Sequence, residues 1–289
     1  MKTKISLLAL WCLASLPMIS CTSVEAPPES HAGTPNQLSA EELADGWTLL
    51  FDGETLDGWE DPARETPPGD SWTVEDGCIK AVAHPRLRED LMTLDSYGDF
   101  ELAFDWKISP GGNSGIKYLI QDRAVLVSGR TDPNAQRFED TVEYELEHRL
   151  GDRSAVGPND HMEEYPIAFE YQVIDNEGHP DAAEGLDRTA GAIYGLVAPH
   201  VQAARAVGEF NESRIVVRGS HVEHWLNGTK VVDVDLDSDA IRTGIAKRWP
   251  LDSTVYRLLS EMPHKRTPIA LQQHGDEVWF RSIKIRRLD

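Results

Sequence analysis

The feature that most constrains the fold is a series of short segments in which apolar and polar residues alternate. The segments run from WTLLFDG near the start of the chain to VWFRSIKIRRL at its end, and glycine, proline, asparagine or aspartate separates them. Because successive side chains of a strand point to opposite faces, this alternation predicts strands with one face in a core. The chain is therefore predicted to be all-β, with one large β-sandwich as its main body.

Two segments show this pattern most clearly. FELAFDWKI, residues 100–108, carries core residues on one face and charged residues, expected to face solvent, on the other. The predicted inward residues are Leu102, Phe104, Trp106 and Ile108, and the predicted outward residues are Glu101, Asp105 and Lys107. In HVEHWLNGTKVVDVDL, Asn227 and Gly228 predict a type I′ hairpin turn, which requires positive φ angles at both positions.

Few short helices are expected. Ser39, followed three residues later by Glu42, predicts a capped helical turn. One further helix is predicted within residues 237–267, beginning near Asp252 or Ser253.

The first residues predict an export signal. A positively charged start precedes an apolar run, residues 5–16, that is too short to span a bilayer. Ser20 directly before Cys21 resembles a bacterial lipobox, so residues 1–20 are predicted to be a lipoprotein signal peptide and Cys21 the lipidated residue. An ordinary signal peptide with an incidental Cys21 is the alternative. The predicted location is exported and lipid-anchored, in the periplasm or at the outer membrane.

Composition divides the rest of the chain into a tether and one domain. Residues 21–38 are rich in Pro, Ser, Thr and Glu and are predicted to be a flexible tether. Residues 39–289 are predicted to form a single domain, with an insertion at about 122–165 that fits either an extra hairpin or a partly helical segment. Cys78 is the only cysteine left for this domain, so a hydrophobic core rather than a disulfide framework must stabilise it.

The charge of the chain excludes several partners. There are 28 Lys and Arg residues against 49 Asp and Glu residues, and the formal net charge is −21. Such an acidic surface argues against nucleic acid and against anionic lipid headgroups as ligands. The lipid anchor is therefore the only membrane contact that we predict.

Several phrases in a fixed order, over about residues 44–288, carry a family resemblance. They are GWTLLFDGETLDGW, SWTVEDG, LMTLDSYGDFELAFDWKISPGGNSGIKY, FEYQVIDN, GAIYGLVAP, GEFNESRIVVRGSHVEHWLNG and LQQHGDEVWFRSIKI. With them the chain resembles the exported bacterial family called DUF1080, which is described as a 3-keto-disaccharide hydrolase domain. The resemblance implies a concanavalin A-like jelly-roll β-sandwich.

The resemblance also implies a chemistry. The ligand would be a saccharide that a separate sugar 3-dehydrogenase has oxidised at C3, and its glycosidic bond would be broken by elimination and hydration, a net hydrolysis. Because the chain has no dinucleotide-binding fingerprint, the oxidation would belong to the partner enzyme. The chain departs from the family in the insertion after Gln121, and in Phe210 and Ser282, where relatives commonly have tryptophan and asparagine.

FEYQVIDN, residues 169–176, carries the first candidate site residues. Alternation places Glu170 and Gln172 on one face, with Asp175 at the strand end. Cleavage of a 3-keto-glycoside requires a base for the C2 proton, a donor or cation for the enolate oxygen, and an acid for the leaving oxygen. We predict Glu170 as the base, Asp175 as a second catalytic residue and Gln172 as a sugar contact. For an isolated strand, a solvent-facing side of an antiparallel sheet is the alternative.

LQQHGD carries the next two candidates. His274 can take or give a proton near neutral pH, so it is the third predicted catalytic residue. Gln272, two residues earlier on the same face, is predicted to bind a sugar hydroxyl. A purely structural role for His274 is the alternative.

Four further residues are predicted to contact the substrate, namely Asn113, Lys117, Tyr194 and Arg281. Their alternatives are, in order, a loop cap, a surface lysine, a core tyrosine and a salt bridge. Glu170, Asp175 and His274 also form an oxygen and nitrogen set that could hold a divalent metal ion. No HExxH or EF-hand spacing supports that set, so no cofactor is predicted with certainty.

Three functions fit these residues. The first is an enzyme that cleaves 3-keto-glycosides, and the second is a lectin-like module that binds carbohydrate without chemistry. The third is a two-carboxylate glycosidase that uses Glu170 and Asp175. The third is the weakest, because residues five apart on an alternating strand point to opposite faces.

Overall fold

The two β-sheets of the chain pack face to face, with short helices outside them. This architecture is seen in a computed structural model that describes residues 34–60, 71–130, 132–151, 156–157 and 159–288. Ring contacts join the sheets across the core, since the ring centroids of Phe104 in one sheet and Tyr171 in the other are 5.5 Å apart. The predicted all-β jelly-roll sandwich with few short helices is confirmed.

The strands and helices of the described residues have the following bounds. The strands are β1 (Trp47–Leu49), β2 (Trp59–Glu60), β3 (Trp72–Glu75), β4 (Cys78–Ala81), β5 (Leu87–Arg88), β6 (Leu91–Thr93), β7 (Phe100–Ile108), β8 (Asn113–Val127), β9 (Met162–Ile174), β10 (Asn211–Arg218), β11 (His221–Leu226), β12 (Thr229–Asp235), β13 (Ala270–Leu271) and β14 (Val278–Arg287). The helices are α1 (Ala40–Ala44), α2 (Phe138–His148), α3 (Pro180–Glu184), α4 (Asp239–Arg248) and α5 (Thr254–Glu261), with a short 3₁₀ helix at Leu186–Arg188.

The strand order places three neighbouring segments at the middle of one sheet. The first sheet runs β12-β11-β10-β7-β14-β4-β3, with β1 paired to β14, and the second runs β2-β6-β13-β8-β9-β5. The parallel pair among the described strands is β5 with β9. In the second sheet β13, β8 and β9 lie side by side, so polar side chains from three distant parts of the sequence share one face.

A buried histidine lies in the core between the sheets. His224 Nε2 is 2.9 Å from the Tyr118 hydroxyl, and His224 Nδ1 is 2.9 Å from the carbonyl oxygen of Gly191. Since a carbonyl oxygen only accepts, Nδ1 carries the proton and Nε2 accepts from the hydroxyl. Burial lowers the pKa of His224 to about 4, so its imidazole is neutral at pH 7.

The outer face of β7 differs from the expectation. Glu101 and Asp105 point away from the core as predicted, but they are only 3% and 6% exposed, so the prediction that they face solvent is wrong. Arg214 and Arg286 form ion pairs with Glu101, and Arg281 does so with Asp105. The arginines come from neighbouring strands β10 and β14, which is why the pattern within β7 does not reveal this cover.

The insertion at about residues 122–165 combines both predicted alternatives. Beyond an irregularity between Tyr118 and Asp122, β8 and β9 continue as a hairpin extension. Helix α2 follows β8 in the sequence and packs near it. The insertion therefore lengthens the middle strands of the second sheet and adds a helix beside them.

Two helices, α4 and α5, lie within residues 237–267, where one was predicted. Ser253 accepts a hydrogen bond from the Tyr256 N–H and caps α5, as predicted. The Glu143 carboxylate of α2 also accepts the N–H groups of Thr254 and Val255, at 2.9 and 2.8 Å. An acidic side chain of the insertion thus holds the first turn of α5.

The N-terminal predictions are only partly within the described residues. The capping box of Ser39 and Glu42 is confirmed at the start of α1, and the Asn227-Gly228 turn has positive φ angles at both residues. The predicted signal peptide, Cys21 and most of the predicted tether lie outside the described residues. Asn36, near the end of that tether, donates to the Gly77 carbonyl and accepts from the Ser282 N–H. No helix in the described part of the chain has the length and hydrophobicity needed to cross a bilayer.

Candidate active site

A cleft of about 280 Å³ opens over the middle strands of the second sheet. Its lining includes Lys117 of β8, Glu170 of β9, and Gln272 and His274 after β13. Tyr194 also lines it, as does Arg248 at the end of α4. A smaller space of about 60 Å³ adjoins Lys117, Arg248 and Glu170. The apolar part of its wall includes Ile193, Ile245 and Trp249.

Glu170 leans over the neighbouring strand at a glycine. The pairing of β8 with β9 sets Lys117 opposite Glu170 and Gly115 opposite Gln172. A Cβ atom on Gly115 would lie 2.5 Å from Glu170 Oε1. The missing side chain of Gly115 therefore makes room for the Glu170 carboxyl group.

Two amides hold the Glu170 carboxyl group. Gln272 Nε2 donates to Glu170 Oε2 at 3.2 Å. When the Gln172 amide nitrogen faces Glu170, it donates to Oε1 at 3.2 Å and to the Ser114 carbonyl oxygen at 3.0 Å. The side-chain amide oxygen Oε1 of Gln272 is buried and accepts no hydrogen bond within the described chain, so it can accept one from a ligand hydroxyl.

The surroundings of Glu170 tune its ionisation. Burial raises the pKa of Glu170 to about 7, with the Asp90 charge acting in the same direction. The nearby cations Lys117, His274 and Arg248 act in the opposite direction. A carboxyl group with this pKa is partly ionised at neutral pH, which suits a general base.

Lys117 is a buried cation and not a surface lysine. Its Nζ lies 2.8 Å from Asp90 Oδ2, and the two residues are 3% and 1% exposed. Burial opposes the charged form of the lysine, but the carboxylates of Asp90 and Glu170 raise its pKa above the ordinary value. The Lys117 ammonium is therefore charged beside Glu170.

His274 lies at the edge of the cleft with an acidic neighbour. His274 Nδ1 is 3.9 Å from Asp276 Oδ2, and the same oxygen accepts the N–H of Asn113 at 3.1 Å. Burial opposes ionisation of Asp276, but His274 and the Asn113 N–H together lower the pKa of its carboxyl group. The ionised Asp276 can orient the imidazole so that Nε2 points away from it.

The predicted metal set is not brought together. His274 instead lies near His179 and Asp276, and one ligand atom of each of the three lies within 4.8 Å of the others. That spacing could hold a divalent cation. His179 Nδ1 accepts the Asp181 N–H at 3.1 Å, so Nε2 carries the proton that a metal would have to displace.

Asp175 and Arg281 lie apart from this cleft. Asp175 accepts the N–H groups of Gly111 and Glu177 at 2.7 and 3.0 Å, so its carboxylate holds the loops after β7 and β9. Arg281 belongs to the first sheet, where it pairs with Asp105 and lies 3.7 Å from the ring centroid of Phe210. The structure thus gives Arg281 the salt bridge that was the alternative to a ligand contact.

The remaining predicted contacts lie in the cleft. Asn113 and Tyr194 line it, and the Tyr194 hydroxyl donates to Asp181 at 3.1 Å while it accepts from Arg188 at 3.1 Å. Arg248 and Tyr165 also line the cleft, and neither was predicted from the sequence. Arg248 reaches the cleft because its Nε donates to Glu139 of the insertion at 2.7 Å, a contact between residues far apart in the sequence.

Comparison with known proteins agrees with this architecture. A protein of Bacteroides thetaiotaomicron named 3-keto-disaccharide hydrolase is 33% identical over 260 residues, which cover 85% of this chain and 80% of that protein. A crystal structure of a proposed glycosyl hydrolase from Parabacteroides distasonis superposes with a TM-score of 0.62 at 26% identity. The superposition covers 89% of this chain and 100% of the Parabacteroides chain.

A second proposed glycosyl hydrolase from Parabacteroides distasonis gives a TM-score of 0.53 at 25% identity, with 84% of this chain and 99% of that chain covered. The family described as a 3-keto-alpha-glucoside-1,2-lyase-like domain matches residues 46–286, which span both sheets and the cleft. With this match over most of its length, the chain belongs to the 3-keto-alpha-glucoside-1,2-lyase-like domain family, a family of carbohydrate hydrolases.

Proposed function

We propose that this protein cleaves the glycosidic bond of 3-keto-glycosides, including 3-keto-disaccharides, by elimination followed by hydration. The observation that carries the proposal is the Glu170 carboxyl group, which lines the cleft with a pKa of about 7 beside the buried cation Lys117. The name of the Bacteroides relative supports the same class of substrate.

The first step is proton abstraction. The C3 carbonyl of the sugar acidifies the C2 proton, and the Glu170 carboxylate takes that proton. The electron pair of the C2–H bond forms an enolate whose negative charge lies on the C3 oxygen. Lys117 and Arg248 are the cations of the cleft that stabilise this charge, and they are already held by Asp90 and Glu139.

The second step is loss of the leaving group. The enolate pair forms the C1–C2 double bond as the C1–O bond breaks, and the leaving oxygen takes a proton from His274. Asp276 is the positioning residue that orients His274 for this transfer. The proton on Glu170 exchanges with solvent, and water then adds across the double bond. The water oxygen bonds to C1, the proton it loses returns to His274, and Glu170 delivers a solvent-derived proton to C2, so the net reaction is hydrolysis.

A divalent ion is compatible with this proposal. His179, His274 and Asp276 offer nitrogen and oxygen ligands, and an ion there would supply Lewis-acid polarisation of a sugar oxygen. The roles of Glu170, Lys117 and Arg248 would be unchanged by that ion, whereas a His274 nitrogen bound to it could not give its proton to the leaving oxygen. Whether EDTA lowers the rate is therefore a separate measurement.

The test compares a 3-keto-glucoside with its unoxidised parent. Purified residues 22–289 are mixed with each compound, with and without EDTA, and release of the aglycone is followed. We expect release from the keto compound alone, and loss of that release in Glu170→Gln. Binding of both compounds without release from either would support the lectin-like alternative and contradict the proposal.

We also propose that the protein is exported and lipidated at Cys21, and that a separate sugar 3-dehydrogenase supplies the keto substrate. The lipobox-like sequence before Cys21 supports the anchor. Membrane fractionation of the full chain and of Cys21→Ser tests it, since only the unsubstituted chain should sediment with membranes.

A further inference from the structure

A second cavity of about 490 Å³ adjoins the cleft and shares two wall residues with it, Phe138 and Glu163. It lies between the segment around β5 and the outer ends of β8 and β9. We call it the basic groove, and the side chains that give it this character are His84, Arg86, Arg88 and His161. Because β5 pairs in parallel with β9, Arg88 lies directly opposite Glu163.

The charge of this groove is opposite to that of the whole chain. Its lining contains two arginines, two histidines and one carboxylate, that of Glu163, whereas the chain has 49 acidic and 28 basic residues. Arg88 is 3.7 Å from Glu163, and its side chain is 42% exposed. A half-exposed pair at this distance is weak, so the Arg88 guanidinium can bind a ligand carboxylate instead.

The groove is built against the loop that carries His274. The His84 N–H donates to the carbonyl oxygen of Gly275 at 2.9 Å. The Arg88 guanidinium packs on the same glycine, since a Cβ atom there would lie 3.4 Å from it. A ligand in the groove would therefore extend directly from the residue that we propose as the acid for the leaving oxygen.

An aromatic side chain lies at the junction of the two cavities. Phe138 is 39% exposed, and its ring packs edge-on against Tyr165 with centroids 5.0 Å apart. An exposed ring in a fixed orientation can stack on a sugar or phenol ring.

We propose that the basic groove is the leaving-group subsite and that it binds an aglycone bearing a carboxylate. This inference rests on the proposed function. The 3-keto ring lies against Glu170 in the cleft, the leaving group passes His274 and Phe138, and its carboxylate binds Arg88.

The test uses two aglycones of nearly the same shape, the anionic 4-hydroxybenzoate and the neutral 4-hydroxybenzamide, each as its 3-keto-glucoside. The readout is the ratio of the two kcat/KM values, benzoate over benzamide, in each protein. Because variants are compared on the same pair, the intrinsic reactivities of the two leaving groups cancel. We expect Arg88→Gln to lower the ratio about fivefold, as loss of one half-exposed ion pair would. Glu163→Gln should raise it.

The matched control is Arg242→Gln, an arginine of α4 that lines neither cavity and pairs with the exposed Asp239. Its ratio should equal that of the unsubstituted protein. The rise expected in Glu163→Gln cannot come from unfolding, so the proposal is testable even where Arg88→Gln is unstable. An unchanged ratio in both variants would overturn the subsite.

Binding of the unoxidised glucosides, measured by calorimetry, separates this inference from the proposed function. Cleavage of both keto compounds with equal ratios in all variants contradicts the subsite and leaves the proposed function intact. Tighter binding of the carboxylate glucoside, lost in Arg88→Gln, without cleavage of either keto compound supports the subsite and contradicts the proposed function. Equal binding and no cleavage overturns both.

Discussion

Glu170 is surrounded by groups that act on its ionisation in opposite directions. Burial raises its pKa, three cations lower it, and the net value is about 7. A carboxyl group in water would be ionised far below neutral pH and would be a weak base. The protein therefore strengthens the base by enclosing it while it keeps positive charge close to where the enolate forms.

The first prediction concerns pH. Because Glu170 acts as a base only when ionised, kcat/KM should rise with pH through an inflection at about 7. Arg248→Gln removes a cation that lowers the pKa of Glu170, so the inflection should move to higher pH. A profile measured from pH 5 to 9 checks both statements, and Arg242→Gln should keep the original inflection. An inflection that stays in place in Arg248→Gln would contradict this account of the electrostatics.

The second prediction concerns Gly115. In Gly115→Ala the new Cβ atom would come within 2.5 Å of Glu170 Oε1, and the flexible carboxyl group would have to move. Since displacement of a catalytic group by about 1 Å can cost about 10²-fold, we expect kcat to fall on that order. Thermal melts should show that the fold persists. Full activity in Gly115→Ala would show that the position of Glu170 is not critical.

At the level of elements, α2 of the insertion stabilises the helices above the cleft. Glu143 accepts two N–H groups of the first turn of α5, and Glu139 pairs with Arg248 of α4. Negative charge at the start of a helix also stabilises it through a favourable interaction with the helix dipole. The insertion therefore positions Arg248 and does more than enlarge one side of the cleft.

The third prediction tests that role. Glu143→Ala removes the acceptor of two amide protons, and we expect a loss of about 1 kcal/mol in the free energy of unfolding. Amide hydrogen exchange in the first turn of α5 should become faster. Glu147→Ala, at an exposed position of the same helix, is the control and should change neither. Equal exchange in the two variants would mean that Glu143 does not hold α5.

Local patterns predicted some elements well and others poorly. Alternation predicted the faces of β7, and the Asn227-Gly228 pair predicted its hairpin, because each signal is contained within a few residues. The burial of Glu101 and the position of Arg248 in the cleft depend on contacts with distant segments. The alternation of apolar and polar residues within one strand carries no information on such contacts.

The candidate site shows the same limit. Glu170 and Gln172 share a strand face as predicted, and Gln272 and His274 come beside them through the pairing of β13 with β8. Asp175 follows the same strand, but its carboxylate turns to backbone N–H groups of the adjoining loop. Spacing alone could not show which partner that carboxylate would take.

At the scale of the whole molecule, the half-buried Glu170 and the buried His224 give stability opposite pH dependences. The pKa of Glu170 is raised from 4.5 to about 7, so the native state holds its proton more tightly, and stability falls as pH rises between these values. The pKa of His224 is lowered from 6.5 to about 4, so stability falls as pH drops through that window. The two effects partly cancel between about pH 4.5 and 6.5.

The fourth prediction follows from this opposition. Glu170→Gln removes one of the two effects, so its stability should rise more steeply from pH 4.5 to 6.5 than that of the unsubstituted protein. Above pH 7 the variant should be more stable by on the order of 2 kcal/mol, because it no longer buries a carboxylate. Urea unfolding at several pH values measures this, with Glu147→Gln as control. Equal stability of Glu170→Gln and the unsubstituted protein at pH 8 would contradict the raised pKa.

The most direct test of the central claim, that Glu170 removes the C2 proton, is to run the reaction in D₂O and follow C2 of the product by NMR. We expect deuterium to enter C2 at the rate of aglycone release, and neither event to occur with Glu170→Gln. Free 3-keto-glucose kept with that variant measures exchange in solution. Cleavage by the unsubstituted protein with the original C2 hydrogen retained, and at the same rate for a substrate deuterated at C2, would contradict elimination and the role of Glu170 as its base.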